Sequence, residues 1–320
     1  DSDPLEVLEH ASREMLEVAH GATDQKVECV GGGDLIHMDI PRPKLLIGED
    51  AQDKARLLAE GQLMLFSGPP KLGKSLLVAE AMVSLAAGDL AWLGFQIHGP
   101  VRVGVVEAEG GLDLVQDWLR AMAADLPREA INRIRIPKTL PKIDLTRPRS
   151  VMLLRRFIET EELKVLALDP FFRLHRAEEN DNREMSDVMA ALEELRAQTA
   201  VAMMLVHHTA WATQENTKGR SSVRSRGASV IAADADTLAT FDYPEEDDEE
   251  SAFYLYFDIR RGPKPPNLLV LRDAHLRHHP TAMGQKKADE KEIAVARKSK
   301  GGALTLKQVK ILLAKGPRTL

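Results

Sequence analysis

Eight residues, Gly68-Pro69-Pro70-Lys71-Leu72-Gly73-Lys74-Ser75, place two glycines, a lysine and a hydroxyl at the spacing G-x-x-x-x-G-K-[ST]. A loop of this kind can wrap a phosphate, because its backbone N–H groups turn inward while the N-terminus of the next helix faces the anion. Pro69 and Pro70 carry no N–H, so the donors are expected from the second half, where Leu72, Gly73, Lys74 and Ser75 keep theirs. Lys74 would neutralise β- and γ-phosphate oxygens, and the Ser75 hydroxyl would hold Mg²⁺. Gly68, Lys71, Leu72, Gly73, Lys74 and Ser75 are therefore the candidate nucleotide contacts, with ATP and Mg²⁺ as the expected ligands.

Hydrolysis needs two further groups, an acid that orients the metal and a group that activates water. The apolar run Val165-Leu166-Ala167-Leu168 ends in Asp169-Pro170. That delivers a carboxylate at the C-terminal end of a strand, where ligands of parallel sheets sit, so Asp169 is the expected second metal ligand, a Walker B acid. The run at 101–106 ends in Glu107-Ala108-Glu109-Gly110-Gly111. Two carboxylates leave it by alternation, and one of them, Glu107 or Glu109, is expected to face the phosphates. A third run, 201–206, ends in His207-His208. Alternation turns one imidazole to the site, and His208 is assigned to the γ-phosphate, where it could report phosphate loss to the loop that follows.

These residues need strands that end together and helices that cover them. Strand-length apolar runs at 63–66, 101–106, 133–136, 165–168 and 201–206 alternate with helical patterns at 75–87, 112–126, 151–161 and 185–198. Continuous apolar strands separated by helices imply an α/β fold, a mainly parallel sheet flanked by helices. Three further runs, 237–243, 252–259 and 268–271, have no helix between them and read as an antiparallel edge.

Residues 41–280 form the expected ATPase core. Residues 1–40, helical at the start and then broken by Gly31-Gly32-Gly33 and Pro41-Arg42-Pro43, read as an appendage and linker. Residues 281–320 read as a basic tail. From Lys286 onward it carries ten Lys/Arg against three Asp/Glu, and 304–313 has helical spacing that could open a helix-turn-helix.

With 320 residues, 44% hydrophobic and 29% charged, the chain can bury a full core. Its net charge of −6 excludes a protein that is basic all over, so any nucleic-acid contact must come from local patches. Cys29 is the only cysteine, which excludes an internal disulfide and a cysteine-based metal site. The acidic start Asp1-Ser2-Asp3-Pro4, and the lack of any stretch near about 20 apolar residues, give a cytoplasmic expectation with no membrane partner.

The order of P-loop, Gly88-Asp89-Leu90-Ala91-Trp92-Leu93-Gly94, strand to Glu109, Asp169-Pro170, Glu179-Asn180-Asp181-Asn182, His207-His208-Thr209 and Arg226-Gly227-Ala228-Ser229 resembles RecA-like ATPases of the plasmid RepA replicative-helicase type. The resemblance spans about residues 41–275. It implies a RecA-like P-loop NTPase core in a ring, usually a hexamer, that hydrolyses ATP between subunits and moves along single-stranded DNA, with a replication or recombination partner. By position, Glu109 is similar to the catalytic glutamate of these proteins and Asp169 to their Walker B acid. Asp258-Ile259-Arg260-Arg261-Gly262-Pro263 resembles the segment that supplies their arginine finger, with Arg260 aligning best. Two departures stand out: Ala210 and Trp211 follow the histidines where relatives carry basic residues, and Asp258 stands where they often carry lysine.

In that architecture the loops after the Asp169 and His208 strands face the ring centre. The second carries Lys218, Arg220, Arg224 and Arg226 with Glu215 as its one acid, and Trp211 could stack on a base. The resemblance also leaves two other functions open, a RecA-like ATPase that assembles on DNA without unwinding it and a regulatory ATPase that uses no nucleic acid.

Overall fold

The structure, a computed structural model, describes residues 29–51, 54–139, 142–178, 181–208, 228–243 and 252–282. The chain divides into two units, 1–42 and 43–320. In the first, helix α1 (Gly32–His37) buries none of its side chains. The second contains the sheet. Among the described residues no helix is long and apolar enough to cross a membrane.

An antiparallel pair, β1 (Leu45–Gly48) and β2 (Arg56–Ala59), leads into β3 (Leu63–Gly68), which is buried throughout. α2 (Lys74–Ala87) follows directly. It starts on Gly73 and stops at Gly88, whose left-handed backbone and N–H bond to the Ser84 carbonyl close the last turn. A short pair, β4 (Ala91–Trp92) and β5 (Phe95–Gln96), precedes β6 (Val103–Glu107), α3 (Gly111–Met122), α4 (Arg128–Asn132) and β7 (Ile134–Arg135). Then come α5 (Pro148–Glu161), β8 (Val165–Asp169), a 3₁₀ turn (Phe171–Leu174), α6 (Asn182–Thr199) and β9 (Ala202–His208). α7 (Ala228–Asp234) leads into β10 (Thr237–Asp242), β11 (Ala252–Ile259), β12 (Leu268–Arg272) and β13 (His278–Ala282).

Nine strands form one sheet in the order β13-β12-β11-β10-β3-β9-β8-β6-β7. From β10 to β7 every pairing is parallel, and from β10 to β13 every pairing is antiparallel. The fold is therefore the expected one, a mainly parallel sheet with helices on both faces and an antiparallel edge. Alternation along each strand builds two cores. Met64, Phe66, Val103, Val105, Val165, Ala167, Met204 and Val206 pack on the face that α2 covers. Leu63, Leu65, Val106, Leu166, Leu168, Met203 and Leu205 pack on the other, with Leu154 and Ile158 of α5 and Val188, Leu192 and Leu195 of α6. One strand, β9, separates the P-loop strand β3 from the acid-bearing β8, and this order decides the geometry of the site.

The elements differ from the sequence expectations mainly at their ends. The helix expected over 112–126 stops at Met122, and Pro127 then holds the chain extended as it enters α4. The run at 133–136 pairs only through Ile134 and Arg135. The sequence pattern does not give β1, β2, β4, β5, α4, α7 or the fourth edge strand β13, and α1 runs through Gly32 and Gly33, which it reads as a break.

Candidate nucleotide site

β3 carries the chain to Gly68, whose φ is +154°, and a Cβ there would come 2.8 Å from both Cβ and O of Phe241 on β10. The loop ends at Gly73, with φ +85°, and among the described residues no side chain caps α2. The first N–H groups of α2 are thus open to an anion, as a phosphate site requires. Lys74 is 2% exposed, and its ammonium donates to the carbonyls of Gly68, at 2.9 Å, and Pro69, at 2.5 Å. Burial pulls its pKa down to about 8, against the opposing pull of Asp169. Leu72 is buried, whereas Lys71 is exposed with φ +66°.

Parity brings the acids to the same face. Asp169 lies in line with Val165 and Ala167 on the α2 side of β8, and Glu107 in line with Val103 and Val105 on the α2 side of β6. The two stand directly opposite each other in the ladder. Asp169 is 4% exposed and accepts a hydrogen bond from the Ser75 hydroxyl. Burial first, then the charge of Glu107 and more weakly that of Glu109, push its carboxyl up to about 7, while the Ser75 hydrogen bond and Lys74 oppose them.

The division of labour between Glu107 and Glu109 has a different origin from the one expected. Residues two apart in a strand share a face, so alternation does not separate them. The strand ends at Glu107, and Glu109 lies in the turn to α3. Glu107 Oε1 accepts the backbone N–H groups of Glu109 and Gly110, both at 2.7 Å, and so fixes the turn that carries Glu109. The Glu109 carboxylate projects outward, 52% exposed, and pairs with Arg173 at 3.3 Å.

The histidines divide as their positions dictate. His208 stands opposite Gly68 in the ladder and in line with Met204 and Val206, so it faces the P-loop side, between that loop and Asp169. Burial lowers its pKa, as does Lys74, with Glu109 opposing. Its ring meets Phe172 edge-on at 5.9 Å. His207 turns to the other face, is 2% exposed, and burial followed by His208, His175 and Lys74 lowers it to about 4.

Arg260 lies elsewhere. Its N–H donates to Asp236 O at 2.8 Å, and Asp236 in turn is bonded to both backbone groups of Leu63, at the start of β3. Its guanidinium, exposed, donates to the Ala233 carbonyl. The P-loop is at the other end of β3, roughly 17 Å along the strand at 3.3–3.4 Å per residue. Asp258 pairs with Lys264. Lys218, Arg220, Arg224, Arg226 and Trp211 lie outside the described residues, as do residues 1–28 and 283–320.

The sequence pattern gives Arg173, in the loop after β8, no role. The structure places its guanidinium on Glu109 and over the Phe172 ring, 4.9 Å from the centroid. A contact between a loop after β8 and a turn after β6 has no signature in a linear pattern; only the adjacency of β6 and β8 reveals it.

The donor set suits a divalent cation. The Ser75 hydroxyl acts on the Asp169 carboxyl, whose pKa is raised first by burial and then by the nearby negative charge of Glu107 and, more weakly, Glu109. Mg²⁺ bound by Ser75 and Asp169 would supply positive charge to the phosphates and relieve that repulsion.

A P-loop on a central parallel strand, an acid two strands away and an uncapped helix facing both define a P-loop nucleotide-binding protein with a RecA-like core. Residues 33–214 match the family model described as "AAA domain", which is more than half of the chain, and the chain belongs to that family. Among solved structures it is similar to the KaiC-like protein PH0186 from the hyperthermophilic archaeon Pyrococcus horikoshii OT3, at 15% identity and a TM-score of 0.49, over 70% of this chain and 93% of that one.

Proposed function

We propose that the chain is a Mg²⁺-dependent ATPase working in the cytoplasm as a ring-forming motor on single-stranded nucleic acid, a replicative DNA helicase of the plasmid RepA type. The observation that carries the ATPase reading is the convergence of Lys74, Ser75 and Asp169 on one face of the sheet, with Glu107 fixing the turn of a second, solvent-reaching carboxylate, Glu109. Lys74 balances phosphate charge, the α2 N–H groups bind phosphate oxygens, and Glu109 takes a proton from the attacking water. Arg260, at the far end of the sheet, serves the site of a neighbouring subunit, which supports assembly into a closed ring, a hexamer. The helicase reading rests on the order of motifs and on Lys218, Arg220, Arg224 and Arg226 as contacts to the DNA backbone.

Steady-state ATP hydrolysis with and without single-stranded DNA, at low and moderate salt, tests it. Strong stimulation that fades as salt rises is the expected result, followed by strand displacement from a forked duplex. A turnover indifferent to DNA would leave the ATPase and remove the motor.

A further inference from the structure

We infer that Arg272, at the end of β12, binds the diphosphate part of the nucleotide within its own subunit. This rests on the ATP reading above and adds a contact on the opposite flank of the site. The terminal phosphate belongs with Lys74, Asp169 and His208, and β8 and β9 lie on one side of β3. The rest of the nucleotide must then cross the P-loop turn toward the other side, where β10, β11 and β12 lie.

Arg272 stands at that crossing. A Cβ built on Gly73 would meet Arg272 Nη1 at 2.8 Å. Glycine at this point of a P-loop lets a phosphate lie against the main chain, so the guanidinium borders the face on which the phosphates rest. Among the described residues the Arg272 guanidinium makes no hydrogen bond or ion pair, although the residue is partly buried. The next residue, Asp273, is no counter-ion for it. Its carboxylate already accepts the N–H groups of His275 and Arg277, at 2.8 and 3.0 Å, and pairs with His279 Nε2 at 2.9 Å. A planar fork of donors with no anion against it among the described residues, set beside a phosphate loop, matches two oxygens of a diphosphate.

Calorimetric titration of the full chain with ADP and with a non-hydrolysable ATP analogue, both with Mg²⁺, reads the contact. R272A and R272Q should weaken both nucleotides alike, on the order of tenfold or more, as loss of a charge-assisted hydrogen bond implies. R272K should recover part of the loss for both. Affinities within about twofold of wild type in R272A and R272Q, the size of ordinary surface effects, would overturn the assignment. A loss confined to the ATP analogue would also overturn it, by moving Arg272 to the γ-phosphate. Failure of the wild-type protein to bind either nucleotide would instead remove the ATP reading itself. Equal melting temperatures without ligand show that the variants fold.

Discussion

Glu107 and Glu109 differ in what their carboxylates already do. Glu107 holds two backbone N–H groups, whereas Glu109 reaches solvent and is tied only to a half-exposed arginine, an interaction worth little in water. A water-activating base needs a free carboxylate on a fixed stem, and Glu107 supplies the fixing. Glu109→Gln should therefore keep nucleotide binding and slow hydrolysis about 10²- to 10⁴-fold. Glu107→Gln, which retains an acceptor for the turn, should lose far less. The reverse ranking in single-turnover assays would move the base to Glu107.

Asp169 gives the second prediction at this scale. Its carboxyl titrates at about 7 in the folded chain against 3.8 in the unfolded one. Between these values the folded state binds more protons, so its contribution to the stability of the ligand-free protein falls as pH rises through that window. His207, lowered from 6.5 to about 4, acts in the opposite sense over most of the same window, because there the unfolded chain binds more protons. The readout is thus the difference between wild type and Asp169→Asn. Relative to the variant, wild type should lose melting temperature between about pH 4 and 7. Parallel curves would show that Asp169 does not carry the raised pKa.

At the scale of elements, α2 is held from behind as well as in front. Glu80, 6% exposed, accepts the His278 backbone N–H at 3.2 Å and its Nδ1 at 2.6 Å, with Arg277 at 3.7 Å. This ties the phosphate-binding helix to β13. Glu80→Ala leaves these buried donors without an acceptor and should cost about 1–3 kcal/mol in denaturant unfolding, with Glu80→Gln costing less. Equal stability of Glu80→Ala and wild type would show that the tie is replaced by solvent.

The parallel strands and long helices were legible because each buries a run whose period is fixed by its backbone, as in Val165–Asp169 or Asn182–Thr199. β13 was not, since His278-His279-Pro280 has no apolar alternation and Pro280 no N–H for a ladder bond, so it pairs as a strand only because β12 offers an edge. Likewise the P-loop and the acid of β8 announce themselves by spacing. Arg173 and Arg272 are anonymous until strand order sets one beside Glu109 and the other beside Gly73.

For the whole molecule the governing fact is that the two ends of the sheet carry different halves of the proposed chemistry. The candidate phosphate-binding groups sit at the C-terminal ends of β3, β8 and β9, and Arg260 sits beside the start of β3. A side chain on that scaffold cannot cross the sheet to its own P-loop, so a finger role for Arg260 requires a second copy. Lys74→Ala should abolish turnover by removing the phosphate charge balance. Arg260→Ala should abolish it while sparing nucleotide binding. Each variant then lacks a different side of the interface. A random equal mixture should place an intact P-loop against an intact Arg260 at about a quarter of its interfaces, because a heterologous contact uses two different patches. Mixed proteins should therefore regain part of the wild-type rate, in an assay run after subunit exchange. Persistent silence in a mixture shown to co-assemble would mean that Arg260 serves only its own chain, at the exposed end of β11.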